Sequence, residues 1–293
     1  MKVRKAVIPA AGFGTRFLPI AKSMPKEMLP IVDTPTIQYV VEEAVAAGIT
    51  DILMVIGKSK RAIEEHFYRN HELEYELRSQ GKEEMLAEVE HISELANIHF
   101  IWQKELNGLG DAVRYARSFT GHEPFALLLG DTLIATDGGA RPVTSQMLEV
   151  FDRFQSPVVA LEAVPHEKVS RYGIVGGVEI EPGWLRLDQL VEKPRPEDAP
   201  SNLAIAGRYV FTEEIYAHID RTRPGKNNEI QLTDAMAGML RERAMYGLRF
   251  EGKRHDIGNK LDFIKTNIEF GLKRADIGPD LAAFLREITA TLG

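Results

Sequence analysis

The first half of the chain alternates short apolar runs with stretches of helical periodicity. Continuous apolar runs that end at a glycine or a polar residue predict buried strands. Four such strands are predicted, at residues 6–11, 51–57, 98–102 and 124–131, with helices at 34–48, within the charged stretch 60–96, and at 111–119. Apolar strands that alternate with helices are typical of a parallel sheet covered on both faces.

The second half of the chain has fewer helical stretches between its apolar runs. Strands are predicted at residues 157–164, 173–180, 185–192 and 203–211, and helices at 230–243, 261–273 and 279–292. We expect these strands to extend or flank the main sheet. The whole pattern predicts an α/β fold, in which helices flank a mixed, mainly parallel sheet with extra β elements and a C-terminal helical tail.

The helix predicted at residues 34–48 carries residues that often mark helix ends. Thr34 is the expected N-cap, Pro35 the first helical residue, and Gly48 the residue just beyond the end. The stretch is therefore expected to start and stop sharply.

Composition and charge exclude several classes of site and partner. The 293 residues include no cysteine, which excludes disulfides, thiolate zinc sites and thiol nucleophiles. No apolar run approaches the roughly 18 residues of a membrane span, and the first residues do not match a signal peptide. The formal charge of −7 argues against nucleic acid as the main partner. We therefore expect a cytoplasmic protein with neither nucleic acid nor a membrane as a partner.

A glycine-containing loop follows the first predicted strand. Gly12 and Gly14 would let backbone N–H groups approach an anion, and the cations Arg16, Lys22 and Lys26 follow closely. Spacing alone leaves two interpretations open: an electropositive pocket for a polyphosphate, or a simple turn followed by solvated cations.

Two familiar glycine motifs do not fit this part of the chain. A dinucleotide fingerprint needs a glycine where Phe17 stands, which argues against a nicotinamide oxidoreductase. A Walker loop needs a glycine five residues before Gly57, and that position is Ile52.

Longer motifs extend through most of the chain and resemble those of the sugar-nucleotide pyrophosphorylases, most closely the uridylyltransferase branch. The motifs that carry this resemblance are residues 12–19, 24–30, 108–110, 172–173, 191–194, 207–209 and 229–234. The resemblance implies a Rossmann-like nucleotidyltransferase fold at 1–258. Its nucleotide-binding half would cover about 1–135, its sugar-binding half about 136–258, and a C-terminal helical extension would follow at 259–293.

The resemblance also implies a reaction. An oxygen of glucose-1-phosphate would attack the α-phosphorus of UTP directly and in line, with Mg²⁺ as cofactor, and release pyrophosphate and UDP-glucose. A phosphomonoester has a second pKa of about 6, so this nucleophile is already ionised near neutral pH. Such an enzyme needs alignment and charge neutralisation rather than a general base.

The site residues are likewise implied by the matching motifs. Arg16, Lys26 and Lys193 would neutralise the phosphates as catalytic residues. The other implied contacts are Ala11, Gly12, Gly14, Glu27, Gln103 and Gly108 for the nucleotide, Gly173, Glu192 and Gly207 for the sugar, and Asp131 and Asp256 for the metal.

Two positions depart from the family pattern, and alternatives to the function remain. Asp111 stands where many relatives carry histidine, and Thr132 where a second acidic residue is common.

Because the amide of Gln103 suits thymine as well as uracil, a thymidylyltransferase or another sugar-1-phosphate nucleotidyltransferase stays open. So does a non-catalytic regulatory relative. The resemblance also implies a homo-oligomer, either a dimer or a tetramer.

Overall fold

The computed structural model of the protein describes residues 1–136 and 139–292. Its strands are β1 (Lys5–Ala10), β2 (Pro30–Ile31), β3 (Thr34–Pro35), β4 (Asp51–Ile56), β5 (Asn97–Trp102), β6 (Phe125–Leu128), β7 (Thr132–Ala135), β8 (Val158–Ala163), β9 (Gly173–Glu181), β10 (Trp184–Glu192), β11 (Leu203–Phe211), β12 (Tyr246–Arg249) and β13 (Lys253–Asp256). Its α-helices are α1 (Thr36–Ala46), α2 (Arg61–Phe67), α3 (His71–Ser79), α4 (Glu83–Glu94), α5 (Leu109–Arg114), α6 (Arg117–Thr120), α7 (Val143–Phe154), α8 (Ile215–Arg221), α9 (Leu232–Leu240), α10 (Lys260–Lys273) and α11 (Gly278–Leu292).

A large mixed sheet forms the centre of the fold. Its strand order is β5-β4-β1-β6-β11-β8-β12-β10-β9. The four strands from the first half pair in parallel, as predicted. In the second half only β8 and β12 are parallel, and the other pairs are antiparallel. The mixed sheet is confirmed, but its parallel character belongs to the first half, because parallel pairs need long crossovers and β9–β10 is a tight hairpin.

The central strands are buried on both faces, which explains their continuous apolar sequence. In β1, Ala6 and Ile8 lie in one core cluster with residues of α1 and α7. Val7, between them, lies in a second cluster on the opposite face, with residues of α5, α8 and α9. Helices therefore cover both faces of the sheet, as the apolar runs predicted.

Several predicted boundaries are corrected by the structure. Thr34 is not an N-cap, because Thr34–Pro35 pairs with Pro30–Ile31 and α1 starts only at Thr36. Gly48 does follow the helix, with φ of +85°. The charged stretch 60–96 contains three helices, α2, α3 and α4, and the predicted helix 111–119 is divided between the short helices α5 and α6.

Some elements were not predicted at all. They are α7, α8 and the short strands β2, β3, β7, β12 and β13. The helix α7 had a readable signal, because Val143, Met147, Val150 and Phe151 recur at helical spacing and are buried. The strands have at most four residues, too few for a periodic pattern.

The C-terminal extension packs on the body of the protein through α10. The helix α10 contacts β13 and β2, and its Phe263 ring lies 5.7 Å from that of Phe17, beside the glycine loop. The predicted division into two halves and an extension stays a prediction. No helix within the described residues is both long enough and apolar enough to cross a membrane.

A buried ion pair lies where the parallel and antiparallel parts of the sheet meet. Arg208 of β11 is 1% exposed, and its Nη2 lies 2.8 Å from Oε2 of Glu43 on α1. The same guanidinium donates to the carbonyls of Leu129, at 3.3 Å, and Thr132, at 2.8 Å. These carbonyls begin and end the turn that carries Asp131. The ion pair therefore fixes the position of that turn.

We predict that Arg208→Met lowers the free energy of unfolding by about 3–5 kcal/mol, because the substitution leaves the carboxylate of Glu43 unpaired in the interior. The double variant Arg208→Met/Glu43→Gln should recover part of this loss, since it removes the stranded charge. Urea denaturation of the three proteins measures both effects.

A surface ion pair provides the control. Arg249 and Glu179 lie 2.6 Å apart and are about half exposed. Arg249→Met should cost less than about 1 kcal/mol, as exposed pairs do. Equal losses for Arg208→Met and Arg249→Met would contradict the role given to the buried pair.

Candidate active site

The carboxyl ends of three parallel strands form one edge of the site. The register of the ladder brings the last residues of β1, β4 and β5 side by side. The residues that follow them are Ala11, Gly57 and Gln103. At Gly57 a side chain is excluded, because a Cβ would lie 2.9 Å from the carbonyl oxygen of Ala11. Ligands of open α/β sheets bind at such an edge.

The glycine loop after β1 packs against a lysine. Gly12 is exposed, with no atom within 4 Å of where a Cβ would be. Gly14 has φ of +65°, and a Cβ there would lie 3.1 Å from the Cβ of Lys26. A short 3₁₀ turn, Thr15–Phe17, follows and exposes Arg16. The loop therefore brings the two predicted phosphate-binding cations to one place.

Lys26 forms an ion pair with Asp131, the residue just before β7. Its Nζ donates to Oδ2 of Asp131, and both side chains are about one-fifth exposed. Burial alone would raise the pKa of Asp131, but the charges of Lys26 and Arg16 outweigh it and hold that pKa below its usual value. Burial would lower the pKa of Lys26, but Asp131 and Glu27 raise it overall. Both groups are therefore charged at neutral pH.

Glu27 is buried behind the open part of the site, and its predicted contact with the nucleotide stays a prediction. Its carboxylate is 1% exposed, and Oε2 accepts a hydrogen bond of 2.7 Å from Nζ of the buried Lys60. Burial raises the pKa of Glu27 despite the two lysines nearby. The other oxygen, Oε1, lies 4.0 Å from Nζ of Lys26. Glu27 therefore lies behind Lys26 and supports its positive charge.

The two carboxylates predicted to bind metal lie at the same end of the paired strands β7 and β13. Asp256 of β13 is paired with Thr132 of β7, the residue after Asp131. Oδ1 of Asp256 accepts a 2.9 Å hydrogen bond from the N–H of Gly258. The guanidinium of Arg16 lies beside Gly258, with nitrogens 3.3 Å from where a Cβ would be. Arg16 thus reaches the segment that carries the second carboxylate.

This pair of carboxylates fits a magnesium ion whose remaining coordination positions are filled by the substrate and water. Mg²⁺ typically takes one or two carboxylates, with phosphate oxygens and water filling the other positions. Within residues 1–136 and 139–292, no group of three or more His, Cys, Asp or Glu side chains could hold a metal ion. Two carboxylates are enough for such an ion, and metal binding by Asp131 and Asp256 stays a prediction.

The predicted sugar-binding residues come together where β9 and β10 pair. Gly173 is directly opposite Glu192, and a Cβ on Gly173 would lie 2.9 Å from Oγ1 of Thr233. The next residue, Lys193, has φ of +47°, and its N–H donates to the carbonyl of Tyr172 at 3.0 Å. Its Nζ lies 2.8 Å from Oε1 of Glu192. One lysine and one carboxylate thus stand side by side at this strand end.

Gly207 lies next to the turn that carries Asp131. It has φ of +76° and occupies an irregular stretch of β11. Its carbonyl accepts a 3.0 Å hydrogen bond from the N–H of Leu129, and a Cβ would lie 3.2 Å from Oγ1 of Thr132. Whether it touches a sugar stays a prediction.

Gly108 and Gly110 bring two distant motifs into contact. Gly108 has φ of +99°, and a Cβ there would lie 2.8 Å from the Cβ of Glu229. The N–H of Gly110 donates to the carbonyl of Ile230 at 2.9 Å, and the N–H of Ile230 donates to the carbonyl of Asn107 at 2.7 Å. The loop that begins α5 is therefore joined by backbone hydrogen bonds to the segment before α9.

Gln103 lies near this loop and is 7% exposed. Its Nε2 donates a 2.9 Å hydrogen bond to Oδ2 of Asp111, which is buried in α5. The departure from the family pattern at position 111 is thus in direct contact with the residue predicted to read the base.

Sequence reasoning missed two residues that support the site. They are Lys60 and Arg208, each almost fully buried and each paired with a carboxylate from a distant part of the chain. Arg208 had a weak signal, because a charged residue within an apolar strand is costly without a partner. No feature of the sequence distinguishes Lys60, since it stands at the start of a stretch rich in charged residues.

This chain is similar to known proteins over nearly its whole length. The family described as nucleotidyl transferase matches residues 5–271. UTP–glucose-1-phosphate uridylyltransferase 1 of Streptococcus pyogenes serotype M1 is 48% identical over 294 residues, which cover 99% of this chain and 96% of the relative.

Solved structures of similar proteins have the same fold. A UTP-bound UGPase from Acinetobacter baumannii has a TM-score of 0.90 and 39% identity, covering 97% of this chain and 99% of its own. A UDP-glucose pyrophosphorylase complexed with UDP-glucose has a TM-score of 0.86 and 41% identity, covering 93% of this chain and 100% of its own. The nucleotidyltransferase fold is thereby confirmed, and this chain belongs to the nucleotidyl transferase family.

Proposed function

We propose that this protein transfers the uridylyl group of UTP to glucose-1-phosphate, forming UDP-glucose and pyrophosphate. The observation that carries the proposal is the meeting of Lys26, Arg16 and Asp131 beside a glycine loop at the carboxyl edge of the sheet. Relatives that share nearly half of its residues over nearly its full length carry the name of this activity, which supports the same substrates here.

The phosphate-binding residues do most of the chemical work in this proposal. Arg16 and Lys26 neutralise the triphosphate and the departing pyrophosphate, which gains charge as the α-phosphorus bond breaks. Lys193 neutralises the phosphate of glucose-1-phosphate, so that two anions can approach each other. Because that phosphate is already ionised, the oxygen that attacks needs no base.

Asp131 and Asp256 would hold a divalent ion, Mg²⁺ in our proposal, which would supply further neutralisation of the phosphate oxygens. Lys26 is ion-paired with Asp131, so that its charge lies beside the proposed metal site. Glu192, opposite Gly173, accepts hydrogen bonds from sugar hydroxyls in this arrangement.

A regulatory relative without catalysis fits this chain less well. Such a protein could dispense with the charges that the reaction needs. Arg16, Lys26, Asp131 and Lys193 are all retained. Transfer of a thymidylyl group uses the same machinery, so the choice of nucleotide is decided by experiment.

We also propose that the protein works as a homo-oligomer in the cytoplasm. The C-terminal helices support an interface between copies, because they expose large apolar side chains. These are Leu261, Ile264 and Leu272 on α10, and Phe284 and Ile288 on α11. The proposed substrates are phosphorylated metabolites, which supports a location in the cytoplasm.

The first prediction from this proposal concerns substrate choice. We expect pyrophosphate release from UTP and glucose-1-phosphate in the presence of Mg²⁺, loss of activity with excess EDTA, and recovery when Mg²⁺ is restored. The measurement compares UTP, dTTP, ATP, CTP and GTP, and then other sugar-1-phosphates with the best nucleotide. Preference for dTTP would change the nucleotide, and no release with any pair would overturn the enzymatic function.

The second prediction concerns Lys193. Lys193→Ala should lower kcat/KM about 10²–10³-fold, as does the loss of one positioned charge-stabilising donor. Lys82→Ala is the matched control, because Lys82 is an exposed lysine between α3 and α4. A folded Lys193→Ala protein with the activity of the parent would remove Lys193 from the site.

The third prediction concerns Asp131. Asp131→Asn should lower the activity and raise the Mg²⁺ concentration that gives half-maximal rate, because an amide is a weaker ligand than a carboxylate. Asp152→Asn, at an exposed position on α7, serves as the control. A magnesium titration identical to that of the parent would show that Asp131 is not a ligand.

A further inference from the structure

Arg254 shares one face of strand β13 with Asp256, the proposed metal ligand. Side chains two residues apart in a strand point to the same side. His255, between them, points the other way and packs on α10, where its ring lies 5.5 Å from that of Phe270. The side chain of Arg254 is only 11% exposed. A nearly buried arginine therefore stands beside the metal ligand without belonging to the ligand set.

A carboxylate from the central sheet holds one edge of the guanidinium. Nε of Arg254 donates a hydrogen bond to Oε1 of Glu162, which lies on β8. The strand β8 is itself paired on both sides, with β11 and β12. Burial would lower the pKa of Arg254, but its neighbours, Glu162 first among them, raise it overall. The charged guanidinium is thus anchored to a strand inside the sheet rather than to a loop.

The face of the same guanidinium lies over Tyr172. Its central carbon is 4.9 Å from the centre of the Tyr172 ring. A cation at this distance is attracted to the face of an aromatic ring. A planar guanidinium can hold a carboxylate at its edge and a ring against its face, whereas the ammonium of lysine is a point charge. Arg254 therefore joins Tyr172 to Glu162.

Tyr172 is connected to the residues proposed to bind the sugar-1-phosphate. Its carbonyl accepts a 3.0 Å hydrogen bond from the N–H of Lys193. The next residue, Gly173, is paired with Glu192. Lys193 has φ of +47°, a conformation that residues other than glycine adopt only when their surroundings hold them in it. The position of Tyr172 therefore governs the position of Lys193.

We propose that Arg254 is a positioning residue, which holds Tyr172 in place and thereby sets the position of Lys193 against the phosphate of the sugar-1-phosphate. This inference rests on the proposed function. Arg254 acts through an aromatic ring and a backbone hydrogen bond, and it does not itself touch the substrate. Because it stands two positions before Asp256, it also joins the strand of the proposed metal ligand to the strand end proposed to bind the sugar.

The test is a double-mutant cycle on Arg254 and Tyr172. Arg254→Met removes the cation, Tyr172→Leu removes the ring but leaves the contact with Glu162 intact, and a third protein carries both changes. The measured quantities are kcat/KM for glucose-1-phosphate at saturating UTP, and the dissociation constants of UDP and UDP-glucose by calorimetry. UDP lacks the sugar, so the ratio of the two dissociation constants isolates sugar binding. Thermal melting checks the fold.

We expect each single change to lower kcat/KM for glucose-1-phosphate about 10²-fold, the loss that a misplacement of about 1 Å can cause. The double variant should be no worse than the worse single variant, because both changes break the same contact. Independent contributions would instead multiply to about 10⁴-fold. The dissociation constant of UDP should stay that of the parent, whereas a general disturbance of the structure would weaken UDP binding as well.

Two exposed residues provide matched controls. Arg249 also contacts β9, but at the far end of that strand, through Glu179. Tyr75 is an exposed tyrosine on α3. Arg249→Met and Tyr75→Leu should both keep the kcat/KM and the binding ratio of the parent.

Three results would overturn the proposal. Losses that multiply in the double variant would show that Arg254 acts on the substrate without Tyr172. A folded Tyr172→Leu protein with the kcat/KM of the parent would remove the ring from the path, and so would a loss of UDP affinity equal to the loss of UDP-glucose affinity. If Arg254→Met does not fold, Arg254→Lys takes its place, since it keeps a charge beside Glu162 but loses the planar face, and the same outcomes apply.

The binding ratio separates this inference from the proposed function. If the parent releases no pyrophosphate but binds UDP-glucose more tightly than UDP, the proposed function fails, and the ratio in the variants still decides the role of Arg254. If the parent is active and both single variants keep its kcat/KM and its ratio, only this inference fails. A parent that is inactive and binds UDP-glucose no better than UDP overturns both.

Discussion

The site depends on one buried ion pair at the junction between the two parts of the sheet. Arg208 joins Glu43 of α1 to the turn before β7, and Glu43 also accepts a 2.6 Å hydrogen bond from Oγ1 of Thr144 at the start of α7. Burying two charges is expensive, and the cost is offset only when the remaining donors and acceptors are satisfied. Here the guanidinium satisfies carbonyls on both sides of Asp131. The same contacts that offset the burial therefore set the position of the Asp131 carboxylate.

A row of charged side chains extends from this turn beneath the glycine loop. Lys60, Glu27, Lys26 and Asp131 alternate in sign, and each contacts or closely approaches the next. Only the last two members are open to solvent. The buried pair Lys60–Glu27 supports the charge of Lys26 from behind, while Asp131 partners it in front. An incoming phosphate thus competes for a lysine whose position is held from within the protein.

The sequence predicted those parts of this arrangement that depend on neighbours in the chain. A strand buried on both faces is indicated by the apolar run that contains Ala6, Val7 and Ile8. A polar group at a strand end is indicated by Asp131, which follows another apolar run. Most of the predicted site residues came from the resemblance of the motifs to those of the family. The burial of Glu27 was not predicted, because its partner, Lys60, lies more than thirty residues away, and only the folded chain buries the two together. The role of Arg208 was not predicted for the same reason, because its partner Glu43 is also distant in the sequence.

Backbone contact couples the segments expected to hold the two substrates. The stretch from Glu229 to Asp234 meets Gly108 at its first residue and Gly173 through Oγ1 of Thr233. Glycines at both places let the stretch approach more closely than any side chain would permit. The loop predicted to bind the base and the strand end predicted to bind the sugar are therefore supported by the same six residues. Because both predicted contacts depend on one segment, its position would affect the alignment of the two substrates that the proposed in-line reaction requires.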